Sequence, residues 1–266
     1  MAADSESPVG GTPAIDRAVA ILDYLAEVRM DASLSEIAMA LDLNKSTCFN
    51  ILKSLSRAGI VERDSRVPLY RLGPKLVALG NASRRNFSYR ELVENEVTPL
   101  LDKYNAVLVL GQLLPDDSGI LIIDHLSKAD ADDLAASVGE IRPLTVPAMG
   151  RAVLATRPYS KAVSFMSETS VGNAAGLDEL QKDLEEVRRR GFAVSLEEYQ
   201  RGVSAVATVV TGPEGNVELI LCLVGSPDTF PTKKVMEAGK DLHDKAVSLE
   251  AALSEATPAY ALSAAR

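Results

Sequence analysis

Residues 33–59 read S-L-S-E-I-A-M-A-L-D-L-N-K-S-T-C-F-N-I-L-K-S-L-S-R-A-G, and this stretch decides the N-terminal fold. Ser33 and Glu36 stand at the S-x-x-E spacing of a capping box, where each satisfies the other's free backbone amide at a helix start. Ile37, Ala38 and Leu41 follow at helical spacing. That helix is short, because Leu41-Asp42-Leu43-Asn44 reads as a turn. A longer helix is predicted from Lys45 to about Ala58, with Ile51, Leu52 and Leu55 on its inner face and Gly59 as its C-terminal cap. Two short helices about a tight turn make a helix-turn-helix. The polar residues of the second helix gather at its N-terminal end: Asn44, Lys45, Ser46, Thr47 and Asn50. A recognition helix lays its first turns against base edges and phosphates, and helix N-termini favour phosphate. Ser46 and Thr47 can bond phosphate or base edges, Asn50 can pair bidentately with adenine, and Lys45 and Lys53 suit phosphate. Ser35 and Phe49 complete the expected DNA-facing set. The plainer alternative has Ser46 and Thr47 only capping the helix and the lysines only solvated.

Upstream, Thr12-Pro13 predicts a helix start, a hydroxyl N-cap followed by proline at the first helical position. Ile15, Ala18, Val19, Leu22, Leu25 and Ala26 then recur at helical spacing, giving an amphipathic helix over 13–28. Downstream, Ile60–Arg63 and Leu69–Leu72 are two short apolar-containing runs about a polar turn, a β-hairpin. Placed directly after a recognition helix, this hairpin is a wing, and Arg63, Arg66 and Arg71 would lie along the backbone or minor groove. The net charge of −9 argues against a nucleic-acid partner until it is divided along the chain. Residues 13–43 hold two basic and six acidic side chains, residues 44–75 seven basic and two acidic, and residues 76–266 19 basic and 27 acidic. One short basic segment thus sits in an acidic chain, and local charge decides where phosphate docks.

Four stretches together resemble the IclR-type bacterial regulators: A-I-D-R-A-V-A-I-L-D-Y-L from Ala14, L-S-E-I-A-M-A-L-D-L-N-K-S-T from Leu34, I-L-K-S-L-S-R-A-G-I-V-E-R-D from Ile51, and Y-R-L-G-P-K-L from Tyr70. The resemblance spans about residues 13–255. It implies an α+β chain: a winged helix-turn-helix over 13–75, a linker helix over 76–88 that also helps a dimer form, and a GAF-like mixed α/β effector-binding and oligomerisation domain over 89–256, with tails at 1–12 and 257–266. Asn50 departs from the family, which usually has Arg there; that bears on the operator sequence rather than on DNA binding itself.

The linker helix carries Leu76, Leu79 and Ala82 on one face, and a helix over 89–103 carries Leu92, Val93, Val97, Leu100 and Leu101. Ala106–Leu114 and Gly119–Leu126 are apolar strands about the turn Pro115–Ser118, and Val203–Thr211 and Asn216–Val224 form a second pair about Gly212–Gly215. Helices are predicted over 176–191 and 231–253. The run Arg188-Arg189-Arg190-Gly191 is read as cations in a last helical turn with a glycine cap, in preference to a nucleic-acid patch. Three segments, at 139–152, 191–205 and 221–225, resemble the family's effector pocket, which implies Leu144, Val146, Met149, Gly150, Ser195, Ala205, Cys222 and Val224 as lining residues. Family members often have Asp where this chain has Ser195, Cys where it has Ala205, and Ser where it has Cys222 and Val224. Fewer polar groups select a ligand that needs few, since unpaired polar atoms are costly to bury. The expected effector is an aromatic or otherwise hydrophobic metabolite with one or two polar handles met by Ser195 and Cys222, although core positions would look the same in sequence.

Length and composition fit this organisation. At 266 residues the chain suggests one large or two ordinary domains, and 47% hydrophobic with 24% charged residues allows a core without disulfides. Cys48 and Cys222 stand far apart, as two reduced thiols of a cytoplasmic protein would. The polar start has no secretory h-region, and no run reaches the ~18–20 apolar residues of a membrane span. No metal, triad or glycine-rich nucleotide motif is present, His125 and His243 lie in no catalytic pattern, and Glu197-Glu198 would face opposite ways on a strand. His243 is expected at the surface; His125, after Asp124 at a strand end, is read first as outside the pocket, with a place in its lining as the alternative. An enzyme carrying a helical N-terminus, or a winged helix that binds protein, are the rival classes. The first lacks a catalytic constellation and the second needs no basic recognition segment. With these rivals set aside, the resemblance implies, without a cofactor, a regulator of a catabolic operon whose partners are double-stranded DNA at a near-palindromic operator, a small-molecule effector and its own copy as homodimer or dimer of dimers.

Overall fold

The structure, a computed structural model, describes residues 12–28, 30–86, 89–127, 136–168, 174–228 and 230–261. Residues 1–11 of the expected N-terminal tail, 87–88 of the linker and 262–266 of the C-terminal tail lie outside the described residues. The chain divides into two compact units, Met1–Phe87 and Ser88–Arg266.

The first unit runs α1 (Pro13–Glu27), β1 (Ala32–Ser33), α2 (Leu34–Ala40), α3 (Lys45–Arg57), β2 (Val61–Arg63), β3 (Leu69–Leu72) and α4 (Lys75–Asn86). Proline starts α1 as expected, but the Thr12 hydroxyl makes no cap bond; its carbonyl instead accepts from the amides of Ile15 and Asp16. The buried stripe of α1 is Ile21 and Leu25, while Ile15 and Val19, expected on that face, are 62% and 50% exposed. Burial is confined to the second half of the helix, so the register of its apolar face is set there. The capping box at Ser33 and Glu36 forms: the Ser33 amide donates to the Glu36 carboxylate at 2.7 Å, and the Glu36 amide donates to the Ser33 hydroxyl at 3.3 Å. In α3, Cys48 and Leu52 are fully buried and Ile51 and Leu55 partly so. Gly59, at φ +73, ends it. The Gly59 amide donates to the Ser56 carbonyl and the Ile60 amide to the Leu55 carbonyl, both at 3.0 Å, the two bonds of a Schellman motif.

The wing has a third strand that sequence periodicity did not reveal. The two-residue β1 pairs antiparallel with β3, Ala32 opposite Tyr70, giving the order β1-β3-β2. A two-residue strand has no alternation to read. Gly73 follows β3, and a Cβ there would lie 2.4 Å from the Gly59 carbonyl oxygen, so two glycine backbones touch where α3 ends and the wing ends. In α4, Leu76 is half-buried, but Leu79, expected beside it, is 48% exposed.

The second unit runs α5 (Tyr89–Tyr104), β4 (Val107–Leu113), β5 (Ile120–Leu126), β6 (Ile141–Arg142), α6 (Pro147–Ala155), α7 (Tyr159–Glu168), α8 (Ala174–Arg190), β7 (Ala193–Leu196), β8 (Ser204–Thr211), β9 (Val217–Gly225) and α9 (Thr232–Ala261). Its sheet has the order β6-β5-β4-β9-β8-β7, with every described pairing antiparallel. Successive strand residues face opposite sides, and here both sides are covered. Leu221 and Leu223 of β9 enter a core with α5 and α9. Ile220, Cys222 and Val224 enter a second core with α6 and α8. Burying both faces is why β9 reads as a near-continuous apolar run; each fully buried Leu contributes about 1.5–3 kcal/mol.

Three expectations are refined here. Helix α9 extends to Ala261, past the expected end at Leu253 and into the segment assigned as tail. The Arg188–Arg190 run is engaged locally. Arg188 donates to the carbonyls of Ala155 and Arg157 at 2.9 Å, capping the end of α6; Arg189 pairs with Glu186; Arg190 donates to the Phe192 carbonyl at 2.6 Å. His243 is half-buried: it packs over Gly191, where a Cβ would lie 2.3 Å from its Nε2.

Candidate nucleic-acid interface and ligand cavity

The N-terminal end of α3 is organised by Asn44. Its Oδ1 accepts from the Thr47 amide at 3.3 Å, the Thr47 hydroxyl at 2.8 Å and the Ser46 hydroxyl at 3.2 Å. The cap is therefore Asn44, and Ser46 and Thr47 are oriented by it. Both hydroxyls donate inward and keep acceptor lone pairs. Lys45, Ser46, Phe49, Asn50 and Lys53 are exposed, and Ser35 is exposed on α2. Residues three and four apart share a helix face, so Lys45, Phe49 and Lys53 form one row and Ser46, Asn50 and Lys53 the adjoining one. The outward face of α3 is thus polar and cationic, while Cys48 and Leu52 alone on it are fully buried.

In the wing, the Asp64 carboxylate accepts from the amides of Arg66 (2.7 Å) and Val67 (3.1 Å), shaping the tip. Those amides hold the carboxyl below its usual range. Arg63 and Arg66 are exposed, with the Arg63 guanidinium 6.0 Å above the Tyr70 ring. Arg71 is spent differently: it lies 3.3 Å from both Asp31 and Glu62. Of the three wing arginines expected to meet DNA, Arg71 has its charge matched within the unit.

The second unit holds a cavity of about 120 Å³ over the β-face that packs on α6. Val109 (β4), Ile122 (β5), Ser195 (β7), Ala205 (β8), and Cys222 and Val224 (β9) form its floor, with Val146 and Met149 at the start of α6. Six of the eight sequence-expected lining residues therefore meet there. Leu144 and Gly150 do not line it. Leu144 is buried beside the neighbouring cleft with Leu154 and Leu180. Gly150 serves packing, since a Cβ would lie 1.9 Å from the Leu144 carbonyl oxygen. His125 is not among the lining residues either. Burial pushes the Cys222 thiol up to about 12, so it is a neutral group. The Ser195 hydroxyl, in a residue 3% exposed, makes no side-chain hydrogen bond among the described residues.

Sequence reasoning missed the cavity's more polar part. Arg142, Tyr199, Gln200 and Val203 line it, as do Ala136, Pro147 and Ala148. Arg142 belongs to the edge strand β6, and Tyr199 and Gln200 to the loop that leaves β7 at the other edge. The guanidinium stacks 4.9 Å from the Tyr199 ring centroid and donates to its hydroxyl. It also meets Glu140, with Nε 3.0 Å and Nη2 3.1 Å from the two carboxylate oxygens. The loop itself is tied down. Arg151 of α6 grips Glu198 through both Nη atoms at 3.0 and 2.5 Å, reaches Asp183 at 3.1 Å, and donates to the Val194 carbonyl. Glu197 turns the other way and accepts from the Gly202 amide at 2.8 Å. The two glutamates are thus held apart, and among the described residues no group of His, Cys, Asp or Glu could hold a metal.

Comparison with known proteins places both units. The family described as the IclR helix-turn-helix domain matches residues 14–65, and that described as Bacterial transcriptional regulator IclR C-terminal matches residues 89–251. The glycerol operon regulatory protein of Streptomyces griseus is 31% identical over 243 residues, covering 85% of this chain and 92% of that one. The HTH-type transcriptional repressor AllR of Escherichia coli is 25% identical over 252 residues, covering 91% of each. Among solved structures, an IclR transcriptional regulator from Alicyclobacillus acidocaldarius superposes with a TM-score of 0.78 at 28% identity, over 92% of this chain and all of that one. These relatives are named regulators and repressors, not enzymes.

Proposed function

The chain belongs to the IclR family of bacterial transcriptional regulators, with a helix-turn-helix DNA-binding domain and a C-terminal effector domain, and from that premise we propose that its hold on a specific operator is set by an aromatic or otherwise hydrophobic metabolite in the cavity over Val109, Cys222 and Val224. The observation that carries the DNA half is the outward face of α3. Lys45, Ser46, Asn50 and Lys53 are exposed together on a helix N-terminus, inside the one basic segment of an acidic chain. Asn50 reads a base edge, Lys45 and Lys53 meet phosphate, and Ser35, Asn44, Ser46, Thr47 and Phe49 complete the contact surface. Arg63 and Arg66 carry the wing's charge to the backbone, and Arg71 contributes less because Asp31 and Glu62 already neutralise it.

The ligand half rests on the floor of the cavity, where Val109, Ile122, Met149, Ala205 and Val224 offer no hydrogen bonds. Its volume is close to the ~150 Å³ of an apolar cavity that admits benzene. The proposed protein acts in the cytoplasm as a homodimer or dimer of dimers on a near-palindromic operator, each dimer presenting two recognition helices. Ligand binding biases the linker arrangement and so the spacing of the readers. Ligand and DNA affinities are then coupled reciprocally, typically by ~1–3 kcal/mol. Control of a catabolic operon fits this reading and the glycerol operon regulator among its relatives.

A gel-shift titration against the DNA upstream of the protein's own gene, with competitor DNA and two salt concentrations, tests the first half. Selective, salt-sensitive retardation is expected; folded dimer that retards no neighbouring promoter selectively overturns it. Calorimetry tests the second half, where micromolar binding of a small dicarboxylate would refute the apolar cavity.

A further inference from the structure

We propose that Arg142 is the anchor for a carboxylate on the effector, which narrows the ligand to a small ring-sized acid bearing one negative charge. The inference rests on the effector reading above and deepens it. Arg142 is the one charged side chain among the described residues lining the cavity. A guanidinium has five N–H donors. Nη2 directs one at Glu140 and Nη1 one at the Tyr199 hydroxyl, while Nε stands 3.0 Å from the other Glu140 oxygen as an ion-pair contact. Two donors, one on Nη1 and one on Nη2, remain for a ligand. A carboxylate is the group that accepts such a pair in parallel.

The rest of the cavity fixes what else the ligand can carry. An anion in an apolar site must be paired, and the one cation among the described lining residues is Arg142, which a ligand would share with Glu140. The floor of Val109, Ile122 and Val224 takes an apolar body. The far strand β7 offers only the Ser195 hydroxyl, and β9 only the neutral Cys222 thiol. A second carboxylate would lie over that neutral wall without a cation. Tyr199 and Glu140 act as positioning residues: Tyr199 holds the guanidinium over its ring and by its hydroxyl, and Glu140 pairs with it from the sheet edge. Glu140 is also the competitor, because its charge opposes the incoming anion.

This gives two substitutions opposite signs. Benzoate and its neutral isostere benzamide are the probes, titrated calorimetrically into the full-length protein, with thermal melts to confirm folding. Wild type is expected to bind benzoate about tenfold or more tighter than benzamide. Arg142→Gln should abolish that preference. Glu140→Gln should strengthen benzoate binding severalfold and leave benzamide unchanged, an outcome a purely structural bridge between the sheet edges would not produce. Equal binding of acid and amide by wild type, absence of benzoate binding, or a Glu140→Gln variant that weakens benzoate like Arg142→Gln would each overturn the anchor. A gel shift on the same samples separates the two proposals. Selective DNA retardation without an acid preference sinks the anchor and leaves the regulator standing; an acid preference without retardation does the reverse.

Discussion

The outward face of α3 gathers its chemistry between Lys45 and Lys53, on one helix and facing solvent. The cavity draws its floor from five strands and one helix, between Val109 and Val224, and those same side chains close a core. On α3 a contact residue can change without touching what holds the fold, because Cys48 and Leu52 point the other way. In the cavity Cys222 and Val224 are wall and core at once, so affinity and stability shift together. Under the proposed function, recognition is local in the first region and cooperative in the second.

The hardest blow to that contrast falls at Gly150. Gly150→Ala forces a Cβ onto the Leu144 carbonyl and is expected to cost about 3 kcal/mol, lowering the second unit's melting temperature by roughly 6–12 °C and disturbing ligand binding. Calorimetric melting reads it, and an unchanged transition would mean the wall can yield where the structure leaves no room. Next, Asn50→Ala should change preference among operator variants by about 1–3 kcal/mol at the bases it meets, with the melt unaffected. Lys53→Ala should instead weaken all sequences alike and reduce the salt slope by about 1. Identical effects in a competition gel shift would erase the division between base and phosphate contacts. Ser33→Ala removes half of the capping box and should cost about 1 kcal/mol, seen as a small shift of the first unit alone.

The smallest effect is an absence. Burial raises both thiols, Cys222 to about 12 and Cys48 above its ordinary value. The thiolate is the reactive form, so at pH 8 about 10⁻⁴ of Cys222 is available and native protein should resist iodoacetamide until unfolded. Rapid native alkylation of Cys222, followed by mass spectrometry, would show the cavity wall opening.

The same contrast explains what could be read in advance. The two helices, their turn and the hairpin were legible because each is written in consecutive residues: the Ser33/Glu36 box, the Leu41–Asn44 turn, the Gly59 stop. The cap of α3 was not, since Ser46 and Thr47 were the capping alternative and Asn44 holds the place. β1 was not, since two residues carry no period. The α1 stripe was set too early because Ile15 and Val19 fit the helical spacing as well as Ile21 does, and burial elsewhere decides between them. In the cavity, the segments around Val146, Ser195, Ala205 and Cys222 were recognisable by resemblance. That could not separate Met149, which lines the cavity, from Gly150, which packs on Leu144. Arg142 and Tyr199 were missed because their meeting depends on how two sheet edges come together over the cavity. Departures from the family's pattern suggested an apolar pocket; topology adds a cation to its lining.

Because the Asn44 cap orients Ser46 and Thr47 through its own oxygen, and Cys48 and Leu52 alone anchor α3 fully inward, the proposed reading set of Lys45, Ser46, Phe49, Asn50 and Lys53 lies outside both the cap and the core. Exchanging Lys45, Ser46, Phe49, Asn50 and Lys53 as a set for those of a relative should transplant its operator preference onto this chain. The helix works as an interchangeable key on a fixed shank.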